Sequence, residues 1–360
     1  MNVLYNRSEK RLRAFWRLLI QFMVAFIGQG VLSLLALFVI TFLLMVSAQI
    51  PFGLLGNGQE LMGALNTAFS QLPLLSGIRS LVVLLAILLI YVLLARWLDR
   101  RPWRDYGFHF NADWWRDLGF GLFLGAALIS LVFGIEYLLG WASVSGTLEN
   151  GQPQSPFWQL LVSGLSTYVL VGVSEELFAR GYQIKNLAEG LSLPRVGSRA
   201  AVLSAYLLMA LFFGLLHGDN PNATLLSTLN LSLAGLFLGL GFILTGELAI
   251  PIGLHITWNF FMGHVFGFPV SGGDHNLSLI ATQQSGPEVW TGGAFGPEGG
   301  LIGVLAMLLG MLLVWGWVRW TAGRASVHTE LAEYSVSHRK GKEVQTSRTE
   351  HEAGQRILQA

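Results

Sequence analysis

The chain has 360 residues, of which 53% are hydrophobic and only 12% charged, about half the charged share of an average soluble domain. Its apolar runs reach the roughly 20 residues of a spanning helix, and none shows the sustained alternation of a lipid-facing strand; an ordinary soluble domain and a barrel are excluded, and an all-α polytopic membrane protein is expected. Cysteine is absent, which excludes disulfides, thiolate nucleophiles and sulfur-ligated metals, so any metal would rest on His, Asp and Glu.

Arg7, Lys10, Arg11, Arg13 and Arg17 precede a first span at 18–46, longer than the hydrocarbon layer and therefore tilted or overhanging. The apolar run it belongs to is too long for a cleaved signal segment and lacks a convincing small-residue cleavage site, so it is expected to be retained. A polar, Gly-containing loop leads to a second span, 78–98, which ends among Arg96, Arg100, Arg101 and Arg104. The next stretch, PWRDYGFHFNADWWRD, reads as interfacial, with Trp103, Trp114 and Trp115 as headgroup anchors.

The third span is 118–139, and a loop carrying Pro153 and Pro156 leads to a fourth from Trp158 into GVSEELFARGYQIKNL. Gly190, Pro194 and Gly197 then act as breakers. The fifth span, 200–216, ends at His217 and the turn GDNPN; the sixth and seventh are 225–244 and 248–266. A Gly- and Pro-rich loop, 268–300, precedes the eighth, 301–317, and the polar tail beyond Arg324 is expected to be disordered or weakly helical. The expected division is an N-terminal helix pair with the interfacial segment (1–116), a helical core that carries the acidic motif (117–266), the long loop with the last span (267–322) and the tail (323–360).

Cytoplasmic flanks collect Lys and Arg. With eight spans and an inside N-terminus, every one of the 22 basic residues except Arg79 falls on the inner side, which predicts a multi-pass plasma-membrane protein with both termini in the cytoplasm.

Three polar clusters interrupt the apolar helices: EELFAR (Glu175 to Arg180), FGLLH (Phe213 to His217) and HITWN (His255 to Asn259). A carboxylate at membrane depth costs about 2.5–3.5 kcal/mol even on a lenient scale, and such residues mark function by default. Glu176 and Arg180 are four apart and can pair on one helix face, whereas Glu175 is turned about 100° away. His255 and Asn259 likewise share a face. If these helices are neighbours, Glu175, His217, His255 and Asn259 converge on one polar pocket. There a carboxylate would deprotonate water, a histidine would hold that water or a metal, and a His–Asn pair would donate to an oxyanion. One Glu and two His equally match an open zinc site. Blander readings exist for each residue: a solvated helix end for the glutamates, a helix cap beside Asp219 for His217, a packed histidine for His255.

The order E-E-x-x-x-R, F-x-x-x-H, H-x-x-x-N, on the fourth, fifth and seventh of eight helices, resembles the CPBP family of intramembrane proteases. That family includes the Ras-converting type of CAAX prenyl endopeptidase (CAAX prenyl protease 2), lysostaphin-resistance-protein-A-like proteins, and bacteriocin-processing or immunity proteins. The resemblance implies an endopeptidase acting on a membrane-associated protein or peptide, with CAAX-type or bacteriocin-type processing. It implies Glu175 as the water-activating carboxylate and Glu176 with Arg180 as a structural pair. His217 would be the second water or metal partner, and His255 with Asn259 the oxyanion-stabilising face. A divalent metal, zinc, on Glu175, His217 and His255 and a metal-free glutamate mechanism are both described for such enzymes, and both stay open. An ion-coupled transporter and a non-catalytic immunity or binding protein are the alternatives; neither involves nucleic acid.

Two further expectations concern the surroundings. TGGAFGPEGG lacks the lysine of a phosphate loop and reads as a tight cap over the outer helix ends, with Glu298 near a substrate entrance. Counting along the helices puts Glu175 and His255 toward the cytoplasmic side but His217 toward the outer side. Either the fifth span overhangs into the cytoplasm, or the GDNPN turn dips into a protein-lined cavity.

Overall fold

The computed structural model describes residues 3–152, 155–274 and 276–334; Pro153 and the tail from 335 onward lie outside the described residues. A small antiparallel pair, β1 (Tyr5–Asn6) and β2 (Arg11–Leu12), leads into α1 (Ala14–Val46). The first loop, expected to be irregular, contains a helix, α2 (Gly58–Gln71), whose N-cap Asn57 side chain accepts from the Gln59 and Glu60 amides. Then come α3 (Leu74–Leu93) and α4 (Ala112–Leu138), the latter capped by Asn111 and taking in the end of the expected interfacial stretch with Trp114 and Trp115. A second pair of strands, β3 (Ala142–Asn150) and β4 (Leu277–Gln284), joins two loops distant in sequence and has no counterpart in the sequence reading. Between them lie α5 (Phe157–Glu176), α6 (Lys185–Leu191), α7 (Gly197–Leu216), α8 (Leu225–Thr245) and α9 (Ala249–Phe260). The short α10 (Glu288–Thr291) and the long α11 (Leu301–Thr321) follow.

Seven of the described helices are long and apolar enough to cross a membrane, and the protein is an all-α polytopic membrane protein. The expected seventh of eight spans falls short: α9 has 12 residues and its π-helical continuation, Phe261–Val265, five. Its position explains the short length. All its residues from Ala249 to Ile256 are buried, because α4, α5 and α8 surround it. The α4–α9 contact is a backbone approach that only small residues allow. A Cβ on Gly121 would stand 2.5 Å from the Ile250 carbonyl oxygen, and one on Gly253 would stand 2.5 Å from that of Leu118.

The acidic motif sits in the middle of a helix, not at its end. Beyond Glu176 the chain continues through a π-helical stretch, Leu177–Ile184, into α6, making one rod of 35 residues from Phe157 to Leu191. Glu175 is therefore about 24 Å from the α6 end of the rod, at 1.5 Å per residue. Helix α7 starts beside that end and climbs about 30 Å to His217 by the same rise. The two residues return to similar levels along the bundle, with the end of the rod and the start of α7 extending beyond them.

A buried ionic cluster holds this extension of the rod. Asp99 accepts from the Tyr182 hydroxyl at 3.0 Å, the Tyr106 hydroxyl at 2.9 Å and the Asn186 amide at 2.9 Å. Glu189 takes Arg101 at 2.5 Å, Arg11 at 2.9 Å and Arg17 at 3.1 Å. These arginines, read in the sequence as plain basic flanks, are 2–4% exposed. The start of the tail departs from expectation as well: residues 323–334 fold back, with a turn at Thr329–Ala332 that buries Leu331 and Ala332 against the bundle. The Tyr334 ring there lies 3.5 Å from the Arg11 guanidinium.

Candidate active site

Helix α5 carries both acids, and they meet different surroundings. Glu176 is fully buried. Its Oε1 accepts from Arg180 Nη1 at 2.9 Å and from His255 Nδ1 at 2.8 Å. Arg180 spends its other Nη on the Gly235 carbonyl of α8 at 3.0 Å and lies 4.8 Å from the Phe213 ring. One carboxylate thus ties α5, α8 and α9 together. Glu175 instead lines a cavity of about 610 Å³.

His217, Asn259 and the ring of His255 line the same cavity. His217 is the residue on which α7 ends, and its Nδ1 lies 2.7 Å from the Phe213 carbonyl oxygen. A carbonyl only accepts, so Nδ1 carries the proton and Nε2 is left for water or substrate. His255 is fixed in the same sense, its Nδ1 donating to the Glu176 carboxylate and its Nε2 remaining available. The sequence-predicted set therefore converges, with one correction. Spacing alone turned Glu175 toward both histidines, but the partner of His255 is Glu176, because the α5–α9 packing brings the Glu176 face against α9.

Trp258 and Ser271, to which sequence reasoning gave no chemical role, belong to the cavity wall with Glu298. The Glu298 carboxylate accepts from Trp258 Nε1 at 3.2 Å and Ser271 Oγ at 2.8 Å and is 4% exposed. Burial raises its pKa above the ordinary glutamate value, opposed by those two hydrogen bonds. No local signal reveals this role, since the three residues are 13 and 27 positions apart. Apolar side chains of α1 and α3, Val24, Phe26, Ile87 and Ile90, also line the cavity. His264 packs against α5, its ring 5.2 Å from that of Tyr168, and bonds the Leu277 carbonyl at 3.0 Å, and His109 pairs with Glu247 at 2.6 Å.

The metal option has a geometric test. Among the described residues, no three His, Cys, Asp or Glu side chains are grouped closely enough to hold a metal ion. Glu175, His217 and His255 share the cavity without forming such a group, so the chemistry is derived from these side chains and water.

Residues 156–261 match the family model described as type II CAAX prenyl endopeptidase Rce1-like. The match spans Glu175, Glu176, Arg180, His217, His255 and Asn259 and stops short of Glu298. No curated protein and no solved structure matches the chain.

Proposed function

We propose that this multi-pass membrane protein, whose residues 156–261 match the Rce1-like type II CAAX prenyl endopeptidase model, hydrolyses a peptide bond of a membrane-associated protein or peptide, with Glu175 as the base that activates water. The observation that carries the reading is the opening of Glu175, His217, His255 and Asn259, from three helices, onto one cavity.

In this mechanism a water molecule sits between Glu175 and Nε2 of His217. Glu175 takes one proton from it, and the oxygen attacks the scissile carbonyl carbon. The carbonyl oxygen becomes an oxyanion that accepts from the Asn259 amide and from His255. To donate there, His255 enters the reaction as an imidazolium, its Nδ1–H on the Glu176 carboxylate, which compensates the charge, and its Nε2–H on the oxyanion. When the tetrahedral intermediate collapses, the C–N bond breaks and the proton held by Glu175 passes to the leaving nitrogen. Glu176 and Arg180 do not touch the reacting atoms in this scheme; they set the orientation of His255.

The apolar wall from α1 and α3 favours a substrate with a hydrophobic segment or lipid group close to the cleaved bond, and CAAX-type and bacteriocin-type processing both fit it. The test is a comparison, by mass spectrometry, of peptides released from membranes holding the wild type, Glu175→Ala or His217→Ala. Each variant should lose cleavage by on the order of 100-fold or more while remaining folded in detergent. Retained cleavage in both purified variants would end the proposal.

A further inference from the structure

The Gly-rich segment before α11 lies outside the matched domain, yet it puts a carboxylate into the catalytic cavity. Glu298 occupies a single turn, Pro297–Gly299, held by close backbone packing on both sides. Gly296 has φ +95°, and a Cβ there would stand 2.1 Å from the Pro269 carbonyl oxygen; Gly272 has φ +81°, and its Cβ would stand 1.8 Å from that of Pro221. Neither place admits a side chain, so the loop is seated against the turn that follows His217.

From this seat Glu298 reaches two ways. Its Oε1 accepts from Trp258, which lies on α9 between His255 and Asn259. Its Oε2 accepts from Ser271, whose carbonyl oxygen in turn accepts from Asn220 Nδ2 at 3.0 Å. The backbone N–H of Asn220 closes the path by donating to the His217 carbonyl oxygen at 3.2 Å. This path matters because α7 and α9 each pack on α8 and scarcely on each other. Besides this path, Phe213 of α7 crosses the gap with its ring, whose centroid lies 4.6 Å from that of His217 and 6.4 Å from that of His255, an apolar contact that fixes no hydrogen-bond geometry.

We propose that Glu298 is a positioning residue that brackets the catalytic cavity, setting the spacing between His217 on one side and His255 with Asn259 on the other. This rests on the hydrolytic reading for its consequence in rate, but not for the bracket itself. A displacement of about 1 Å in a catalytic group can cost on the order of 100-fold in rate, which is the scale expected when the bracket is cut.

The experiment compares Glu298→Ala, Glu298→Gln and Ser271→Ala in the full-length protein in detergent, by steady-state cleavage and by hydrogen exchange of the 217–223 and 270–273 segments. Glutamine preserves the bracket, its amide oxygen accepting from Trp258 and its amide N–H donating to Ser271 Oγ. Glu298→Ala should lower kcat by about 10- to 100-fold with KM little changed and speed exchange in both segments. Glu298→Gln should restore most of the rate and the slow exchange, and Ser271→Ala, with one arm gone, should fall between. A Glu298→Ala protein with wild-type kcat and exchange overturns the proposal, and so does a Glu298→Gln protein as defective as Glu298→Ala. If Glu298→Ala does not fold, Ser271→Ala decides, and wild-type behaviour in both readouts overturns it. Failure of the hydrolytic reading would appear separately, as an inactive wild type or an active Glu175→Ala, while the exchange data still decide the bracket.

Discussion

Glu175 and Glu176 are adjacent in the chain and differ in what replacing them should do. Glu176 is fully buried with two donors on one oxygen, and removing one member of a buried pair typically costs about 3–5 kcal/mol because the partner charge is left uncompensated. Glu176→Ala should therefore lower the thermal midpoint in detergent markedly as well as activity, whereas Glu175→Ala should remove activity with the midpoint nearly unchanged. Equal midpoints for the two variants would contradict this division of labour. At Asn259, Asp keeps the size but replaces the amide donor with an acceptor. Asn259→Asp should lower kcat by about 10²- to 10³-fold, the loss typical of a missing oxyanion donor, while substrate affinity measured in a Glu175→Ala background stays close to normal.

At the scale of elements, the rod from α5 through the π-helical turn to α6 determines the depth of the site. Its apolar pattern is legible as far as Glu176. Its continuation is not, because Lys185, Asn186 and Glu189 read as solvated residues and are buried only through Asp99 and arginines from distant elements. The folded-back segment 323–334 was hidden for the same reason: its few apolar residues gain a buried place only once α6 and α7 are assembled. That segment carries a pH prediction. His328, whose backbone N–H donates to the Ile243 carbonyl at 2.7 Å, has its pKa lowered by burial, against the opposing pull of Glu330. Its folded pKa lies below the unfolded one, so the unfolded or undocked state binds more protons at acid pH. Docking is therefore stable above the unfolded value near pH 6.5 and weakens as pH falls through it toward the folded one. Exchange of residues 323–334 should accelerate on going from pH 8 to pH 5, and His328→Gln should flatten that dependence; an unchanged slope in the variant would count against His328 as its source.

For the whole molecule, we propose from the basic-residue bias that both termini are cytoplasmic, which would turn the β3–β4 sheet outward. The absence of cysteine makes the proposal easy to check. An impermeant maleimide added to intact cells should label Ser143→Cys, whereas Arg7→Cys should react only after permeabilisation; the reverse pattern would invert the topology. What the sequence by itself determined was the membrane class, the approximate helix positions and the identity of the polar positions on three helices. Composition, run length and the 3.6-residue repeat are local properties that survive without knowledge of neighbours. Only the tertiary structure decided which acid meets His255, how His217 reaches the depth of Glu175, and that Glu298 enters the cavity. Each depends on how far a helix continues and which face it turns to a partner distant in the chain, and those follow from packing between elements.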